Sequence, residues 1–503
     1  MNEVVAVRTA RERLLRPTLR ELWTFLAIAL PVLAALLATM PSVDLAYQLR
    51  AGAEILVGQG IPSQDTWTFT AAGLPWLDQQ WGAQVVLAAI YAASGWTGLA
   101  ILRAALVGLV SGLILAAIRA RALGMHPRTA ALLSLAAFVV MAPALALRPQ
   151  LLGMALFALT LLILAARRTQ PRIMWLLPAV AVAWANVHGS FFLGPVLVGL
   201  AWLEDAAGRA PGARRTFLAA LAMAGATFVT PFGVGVWRYA LGLAMNRQVT
   251  AQISEWQPPS FSDVPGLLFW SSVVLAILGS VWLARRPGRT AWPALLGLIA
   301  FAGLGAITGR GIAWWPGVAV VTLAGLAGRP AAAASSDAVD RPVRPTPIRR
   351  GNRVNAGIGL ALVLTGLALL PAWRPLDPAL GAPSGLLGQA PSGITGALRS
   401  IATSSDRVWN PQVWGSWLEF AVPIPLYAFD ARIEVIPSDA WAQHGLVERA
   451  QAGWSDVLDV AGVTIVVTDG SPATPLAEAL AGSQHWRPAH ADNDGGIWVR
   501  SER

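Results

Sequence analysis

The chain has 503 residues, of which 55% are hydrophobic and only 13% are charged, and its mean hydropathy is +0.56. This composition excludes an ordinary soluble protein and predicts a polytopic membrane protein. The net charge of +10 does not indicate nucleic-acid binding, because the arginines are spread among short loops between apolar segments. The lack of cysteine excludes disulfides, thiol nucleophiles and thiolate metal sites.

Apolar segments long enough to cross a bilayer recur along the first 370 residues and predict about eleven transmembrane helices. The basic N-terminal region leads into a long apolar run without a small-residue cleavage site, so we expect a retained anchor. The predicted spans lie near residues 22–40, 98–118, 129–147, 150–166, 173–189, 190–206, 216–231, 264–284, 290–308, 310–328 and 354–370.

The arginines between these spans predict the orientation. With the N-terminus in the cytoplasm and residues 81–94 treated as a helix at the outer membrane surface, every predicted inner loop is basic, as the positive-inside rule requires. Counting 81–94 as a full span would place Arg119, Arg121 and Arg128 outside and break this agreement. The segment after residue 370 is therefore predicted to lie outside the cytoplasm.

The sequence divides into two predicted domains. Residues 1–370 form an all-α membrane bundle, with a first outer loop at 41–97 that carries interfacial helices and a cytoplasmic linker at 328–353 rich in Ala, Ser, Pro and Arg. In residues 371–503 the charge rises, and short β-rich runs alternate with helical ones. This pattern predicts a small extracytoplasmic α/β domain.

Asp44 is the first candidate for a catalytic residue. It follows the first predicted span, and a carboxylate at a wet cleft there could accept a proton from a hydroxyl or hold a hard cation. Alternatively, Ser42 or Asp44 could simply cap the helix that follows. Asp78 could likewise cap the next helix, and Asp65 lies in turn-like sequence where a local side-chain bond is expected.

Further polar residues are predicted at the outer ends of the spans. An arginine there could bind a phosphate through two parallel hydrogen bonds, or it could reach the interface only to keep its charge in water. A lone histidine is expected to serve helix packing rather than metal binding, and Arg103, inside a span, requires an acidic partner or a polar cavity. The candidates for substrate binding are Asp78, Gln80, Arg148, Asn186, His188, Glu255, Trp256 and Arg310.

These motifs together resemble the C-type (GT-C) superfamily of membrane glycosyltransferases that use polyprenyl-phosphate sugars. The resemblance extends over nearly the whole chain and includes an acid after the first span (Asp44) and an arginine in the second (Arg103). Within this superfamily, the sequence most resembles uncharacterised bacterial members related to protein O-mannosyltransferases and lipopolysaccharide-core glycosyltransferases. The matching motifs are RPQ (148–150), WANVHG (184–189), TPFG (230–233), ISEWQ (253–257), RVWNPQVWGSWLEF (407–420) and FDARIEVIP (429–437).

The resemblance implies an inverting glycosyl transfer from a polyprenyl-phosphate sugar to an extracytoplasmic glycan, lipid or protein, in a bacterial cytoplasmic membrane. Asp44 would be the base or would lie beside a divalent cation, which is left open as a cofactor. Gln48 and Gln80 stand where relatives often have a histidine and a glutamate. A lipid-linked-substrate transporter and a non-catalytic scaffold with a partner-binding outer domain stay as alternatives.

Overall fold

A computed structural model of the chain describes residues 11, 15–245, 254–284, 292–328, 351–470 and 474–502. In the first 370 residues these ranges are almost entirely helical. We number the helices α1 Leu19–Leu37, α2 Ser42–Leu56, α3 Trp81–Arg121, α4 Pro127–Met141, α5 Pro149–Ala166, α6 Leu177–Ala185, α7 Leu193–Ala207, α8 Ala213–Ala226, α9 Gly235–Met245, α10 Val264–Ala284, α11 Trp292–Ile307, α12 Trp315–Ala327 and α13 Arg353–Ala368.

Within the described ranges, six helices are long and apolar enough to cross a membrane. They lie at Leu19–Leu37, Trp81–Arg121, Pro127–Ala144, Pro149–Ala166, Gly189–Ala207 and Val264–Leu283. Four shorter apolar helices lie at Pro171–Ala185, Trp292–Ile307, Trp315–Ala327 and Arg353–Ala368. The helical, membrane-spanning character of the chain agrees with the sequence analysis, while the count of about eleven spans stays a prediction. Most of the predicted linker, residues 329–350, lies outside the described residues.

Local sequence explains how the first helices are placed. Helix α1 begins with a capping box, in which the Thr18 hydroxyl accepts the backbone N–H of Glu21 and the Glu21 carboxylate accepts the backbone N–H of Thr18. Helix α3 consists of two pieces that meet at Gly95, whose φ of 57° and ψ of −154° favour glycine. The kink separates residues 81–94, predicted as an interfacial helix, from the apolar helix after them.

The last 130 residues contain a mixed sheet covered by helices. The helices are α14 Ser392–Ile401, α15 Gln412–Ala421, α16 Ser438–Glu448, α17 Trp454–Val460 and α18 Pro475–Ala481. Strand β1 Met40–Pro41 lies earlier, in the first outer loop. The strands of the last 130 residues are β2 Leu376–Asp377, β3 Ala382–Pro383, β4 Leu387–Gly388, β5 Arg407–Trp409, β6 Leu426–Tyr427, β7 Ile465–Asp469, β8 Trp486–Ala491 and β9 Gly495–Arg500. The five-stranded sheet has the order β6-β5-β7-β9-β8, with β5 parallel to both its neighbours and β9 antiparallel to both of its own.

The first outer loop and the C-terminal domain pack against each other through a buried cluster. The Arg432 guanidinium lies 2.5 Å from both Asp65 and Asp430. Its carbon also lies 4.2 Å from the Trp67 ring centre and 4.5 Å from that of Trp76, and these two indole rings pack edge to face against each other. Asp65 additionally accepts the local bonds expected of a turn residue. Removing one member of such a cluster would leave a buried charge unpaired.

Backbone contacts extend this interface. Strand β1, directly after α1, pairs in parallel with β4 of the C-terminal domain. The backbone N–H of Phe69 donates to the carbonyl of Tyr427 at 2.9 Å, and the Ser42 hydroxyl donates to the carbonyl of Gln389 at 2.9 Å. These contacts fix the start of α2 relative to the C-terminal domain.

Arg103 finds a different partner from the one the sequence led us to expect. Its guanidinium donates to the backbone carbonyls of Ala35, Ala38 and Thr39, the last at 2.6 Å. These carbonyls lie at the C-terminal end of α1, where helical carbonyls lack intrahelical partners and the helix dipole favours a cation. A helix end therefore takes the place of the acidic partner.

Candidate active site

A small polar cavity of about 90 Å³ lies where the first outer loop, the ends of several helices and the C-terminal domain meet. It brings together six of the nine candidate residues that the sequence analysis selected. Its lining comprises Asp44, Tyr47, Gln48, Gln80, Arg148, Pro149, Gln150, His188, Tyr239, Leu243, Trp256, Arg310, Ala431, Ile433 and Glu434.

A chain of alternating charges runs along one wall of the cavity. The Nε atom of Arg148 lies 3.0 Å from Oδ2 of Asp44, and its Nη1 atom lies 2.7 Å from Oε1 of Glu255. The other oxygen of Glu255 lies 3.2 Å from Nε of Arg310. Burial alone would raise the pKa of Glu255, but Arg148 and Arg310 outweigh it and lower the pKa below its usual value. The wall therefore holds two guanidinium groups in fixed positions.

Asp44 faces this cavity and does not act as a helix cap. Helix α2 begins at Ser42, its N-cap residue is Pro41, and no side chain caps it. Asp44 lies in the first turn, where the positive end of the helix dipole stabilises a carboxylate. Its side chain keeps 26% of its surface exposed, so the carboxylate is accessible from the cavity.

His188 and Trp256 present polar ring atoms at the same cavity. The Nδ1 atom of His188 accepts the backbone N–H of Ser190 at 3.2 Å, which leaves Nε2 as the nitrogen able to donate to a ligand. The Arg310 guanidinium carbon lies 4.9 Å from the Trp256 ring centre. The indole N–H of Trp256 is buried and has no acceptor among the residues that the structure describes.

The two glutamines beside Asp44 bond to each other, with Nε2 of Gln48 donating to Oε1 of Gln80 at 2.7 Å. Divalent cations need several oxygen ligands, and carboxylates are the strongest of these. Beside Asp44 lie two amide groups, those of Gln48 and Gln80, and the Arg148 guanidinium. The guanidinium pairs with the same carboxylate that a cation would need. This set does not fit a divalent cation. In the described part of the chain, no three His, Asp or Glu side chains come together as metal ligands.

Three cavity residues were not singled out from the sequence: Tyr47, Tyr239 and Glu434. The Tyr239 hydroxyl donates to Oε1 of Glu434 at 3.1 Å. Burial raises the pKa of the Glu434 carboxyl and of both phenols. Glu434 follows Arg432 by two residues, so the buried cluster positions it. The position of Glu434 in FDARIEVIP was the only sequence signal, because that motif already contributed to the resemblance.

Asp78 and Asn186 lie outside the lining of the cavity. Asp78 is buried, and its Oδ1 atom accepts Nε2 of Gln84 at 2.7 Å. Asn186 donates to the carbonyls of Val182 and Val229, both at 2.8 Å, and accepts the indole N–H of Trp81 at 2.9 Å. Both side chains thus bond to the protein behind the cavity wall.

A larger cavity, of about 300 Å³, adjoins the first. Apolar side chains dominate its lining, including Val140, Met141, Pro143, Pro265 and Ile312. It shares Arg148, Gln150 and Arg310 with the polar cavity, whereas the candidate Glu255 lines only this larger one. The same guanidinium groups therefore face a polar space on one side and an apolar space on the other.

This architecture matches structures of the archaeal oligosaccharyltransferase AglB from Archaeoglobus fulgidus. The match to AglB in complex with an inhibitory peptide and a dolichol-phosphate has a TM-score of 0.59 at 12% identity and covers 95% of this chain and 74% of that chain. The chain therefore has a GT-C fold. The apo form of the oligosaccharyltransferase matches with a TM-score of 0.54 at 12% identity, and a form tethered to an acceptor peptide with 0.53 at 11% identity, at the same coverage.

The GT-C fold agrees with the resemblance noted from the sequence motifs, while assignment to one bacterial subgroup stays a prediction. The sequence itself matches no protein-family model and no curated protein.

Proposed function

We propose that the protein is a membrane glycosyltransferase that moves a sugar from a polyprenyl-phosphate donor to an extracytoplasmic acceptor hydroxyl. The observation that carries this proposal is the position of Asp44 in one cavity with Arg148 and Arg310. A carboxylate beside two guanidinium groups offers a proton acceptor next to a site for a phosphate. A helix cap turned to bulk solvent would have favoured the scaffold.

The reaction needs one proton acceptor and one anion site. Asp44 takes the proton of the acceptor hydroxyl while its oxygen attacks the anomeric carbon from the face opposite the phosphate. The bond between the anomeric carbon and the phosphate oxygen breaks, and the electron pair leaves with the lipid phosphate. Arg148 and Arg310 stabilise this departing phosphate. The new bond lies on the opposite face of the sugar, so the configuration at that carbon is inverted.

The adjoining apolar cavity supports a lipid-linked donor. A phosphate on Arg148 and Arg310 would place the first isoprenoid units against the apolar lining, which reaches the same two side chains. One of the AglB structures contains a dolichol-phosphate, which is a lipid phosphate of the same chemical class. Membrane lipid would surround the apolar helices that carry this cavity.

The remaining candidates have supporting roles in this proposal. Gln80, His188 and Trp256 line the polar cavity and would bind the sugar. Glu255 pairs with Arg148 and Arg310 and would orient these arginines. Asp78 and Asn186 do not line the cavity and would stabilise the residues that do. The N-terminus would lie in the cytoplasm of a bacterium and the cavity on the outer side of the cytoplasmic membrane. No step is assigned to a divalent cation, because the residues around Asp44 do not fit one.

The direct test is to incubate the purified full-length protein, in lipid nanodiscs, with a panel of radiolabelled polyprenyl-phosphate sugars. We expect release or transfer of the sugar from at least one donor, with loss of that activity in Asp44→Asn. A protein that leaves every donor intact but moves it across a sealed bilayer would be a transporter instead. Intact donors without movement would favour the scaffold.

A further inference from the structure

Glu434 belongs to the C-terminal domain but lines the polar cavity of the membrane domain. The buried Arg432 cluster lies two residues before it and fixes this part of the chain against the first outer loop. The side chain keeps an exposed surface, which faces the cavity that it lines. The C-terminal domain thus supplies a functional group that the membrane helices lack at this position.

The groups around Glu434 both donate and accept hydrogen bonds. The Tyr239 hydroxyl donates to Glu434 at 3.1 Å, and the Tyr47 phenol and the amides of Gln48 and Gln80 line the same space. The Gln48 Oε1 atom is buried without a hydrogen-bond partner among the described residues, so an acceptor is left over for a ligand. Burial raises the pKa of Glu434, which favours the protonated carboxyl, a form that can also donate.

The two sides of the polar cavity differ. Arg148 and Arg310 also line the apolar cavity, whereas Tyr47, Tyr239 and Glu434 line only the polar one. A donor that places its phosphate on the arginines and its lipid in the apolar cavity leaves the Glu434 side open. Asp44 lines the same cavity as both groups.

We propose that Glu434, Tyr47 and Tyr239 form the subsite that positions the acceptor, and that this acceptor is a hydroxyl-rich glycan. That the bound glycan is the acceptor rests on the proposed function. That a glycan binds here is argued from the side chains of the cavity alone. The carboxyl, the two phenols and the amides of this wall offer both donors and acceptors, which suits sugar hydroxyls because these also donate and accept. A peptide is the competing occupant, and the test distinguishes the two.

The test measures binding without any donor. Saturation-transfer difference NMR on the full-length protein in nanodiscs would use methyl glycosides of glucose, galactose and mannose as probes, and a short serine- and threonine-containing peptide as the competitor. We expect at least one glycoside to bind. Glu434→Ala should weaken its affinity about five- to tenfold, the effect of one or two lost neutral hydrogen bonds. Tyr239→Phe should weaken it in the same direction.

Glu434→Gln keeps an acceptor for Tyr239 and an N–H donor, so it should bind the glycoside within about threefold of the wild type, less than the loss of one full hydrogen bond. The matched control is Glu478→Ala, an exposed glutamate in α18 of the same domain. Equal affinity in wild type, Glu434→Ala and Tyr239→Phe would overturn the proposal, as would Glu434-dependent binding of the peptide but of no glycoside.

The two proposals fail in different ways. If glycosides bind through Glu434 but no polyprenyl-phosphate sugar is cleaved, the subsite stands and the transferase reaction is wrong. If donors are cleaved and no glycoside binds, the reaction stands and the glycan subsite is wrong.

Discussion

Arg148 bonds to Asp44 and Glu255 at the same time, through Nε at 3.0 Å and Nη1 at 2.7 Å. Asp44 lies in the first turn of α2 and Arg148 immediately precedes α5, so this ion pair joins the starts of two helices. Because Arg148 has two carboxylate partners, losing Asp44 leaves the guanidinium still paired with Glu255. Asp44 can therefore be substituted without removing every carboxylate partner of Arg148.

Asp44→Asn should abolish sugar transfer and leave expression and membrane insertion intact. Loss of a general base typically lowers the rate by about 10²–10⁴-fold, and Glu255 still neutralises Arg148 in the variant. The measurement is the initial rate of sugar transfer from a radiolabelled donor. Asp439→Asn, an exposed residue at the start of α16, is the matched control. Full activity of Asp44→Asn would contradict the assigned role.

Arg310→Ala and Arg148→Ala should weaken donor binding more than turnover. A charge-assisted bond to a phosphate contributes about 1.5–3 kcal/mol, so the Kd for a polyprenyl-phosphate analogue should rise at least about tenfold. Isothermal titration of the analogue against wild type and both variants measures this. Arg310→Lys keeps the positive charge but loses the two parallel N–H donors of the guanidinium. Its affinity for the analogue should lie between those of the wild type and Arg310→Ala. Unchanged affinity in both alanine variants would count against a phosphate at this wall.

The stability of the protein should depend on the protonation of Asp78. Burial raises the pKa of this carboxyl to about 7. Since the folded pKa lies above the unfolded value of 3.8, the contribution of Asp78 to stability is complete below pH 4 and is lost as the pH rises towards 7. Asp78→Asn stays neutral throughout this range. Its melting temperature should exceed that of the wild type increasingly from pH 4 to pH 7, and a difference independent of pH would contradict this account.

The predicted orientation can be tested with single cysteines, because the natural chain contains none. Ala72 is exposed in the first outer loop, and Leu123 is exposed between α3 and α4, on the predicted inner side. In intact cells, a membrane-impermeant maleimide should label Ala72→Cys and leave Leu123→Cys unlabelled, and both should react after lysis. Labelling of Leu123→Cys alone in intact cells would reverse the topology and place Asp44 in the cytosol.

The sequence selected six residues of the cavity wall, several of them from their positions at the ends of apolar runs. Arg148, His188 and Arg310 each follow or precede such a run, and the alternation of spans predicts that these ends lie on one side of the bilayer. Asp44 was found in the same way, from its position after the first span. The division into a helical part and a sheet-containing part followed from the change in pattern after residue 370, since strands and helices differ in apolar periodicity.

The other wall of the cavity could not be predicted. Glu434 and Tyr239 are separated by 195 positions and meet only because the C-terminal domain docks on the first outer loop. That docking depends on the pairing of Arg432 with Asp65, two residues that look like ordinary turn and surface residues in the sequence. Arg103 shows the same limit, because unpaired carbonyls at a helix end carry no signal in the sequence.

The contact between Arg432 and the first outer loop also has a consequence for biosynthesis. A ribosome makes Asp44 early and Glu434 nearly 400 residues later, so one wall exists for most of translation without the other. Newly inserted chains would hold the carboxylate of Asp44 in an unfinished groove until the C-terminal domain has been made and has packed against the first outer loop. Under the proposed function, transfer to an acceptor would begin only after this last step of assembly.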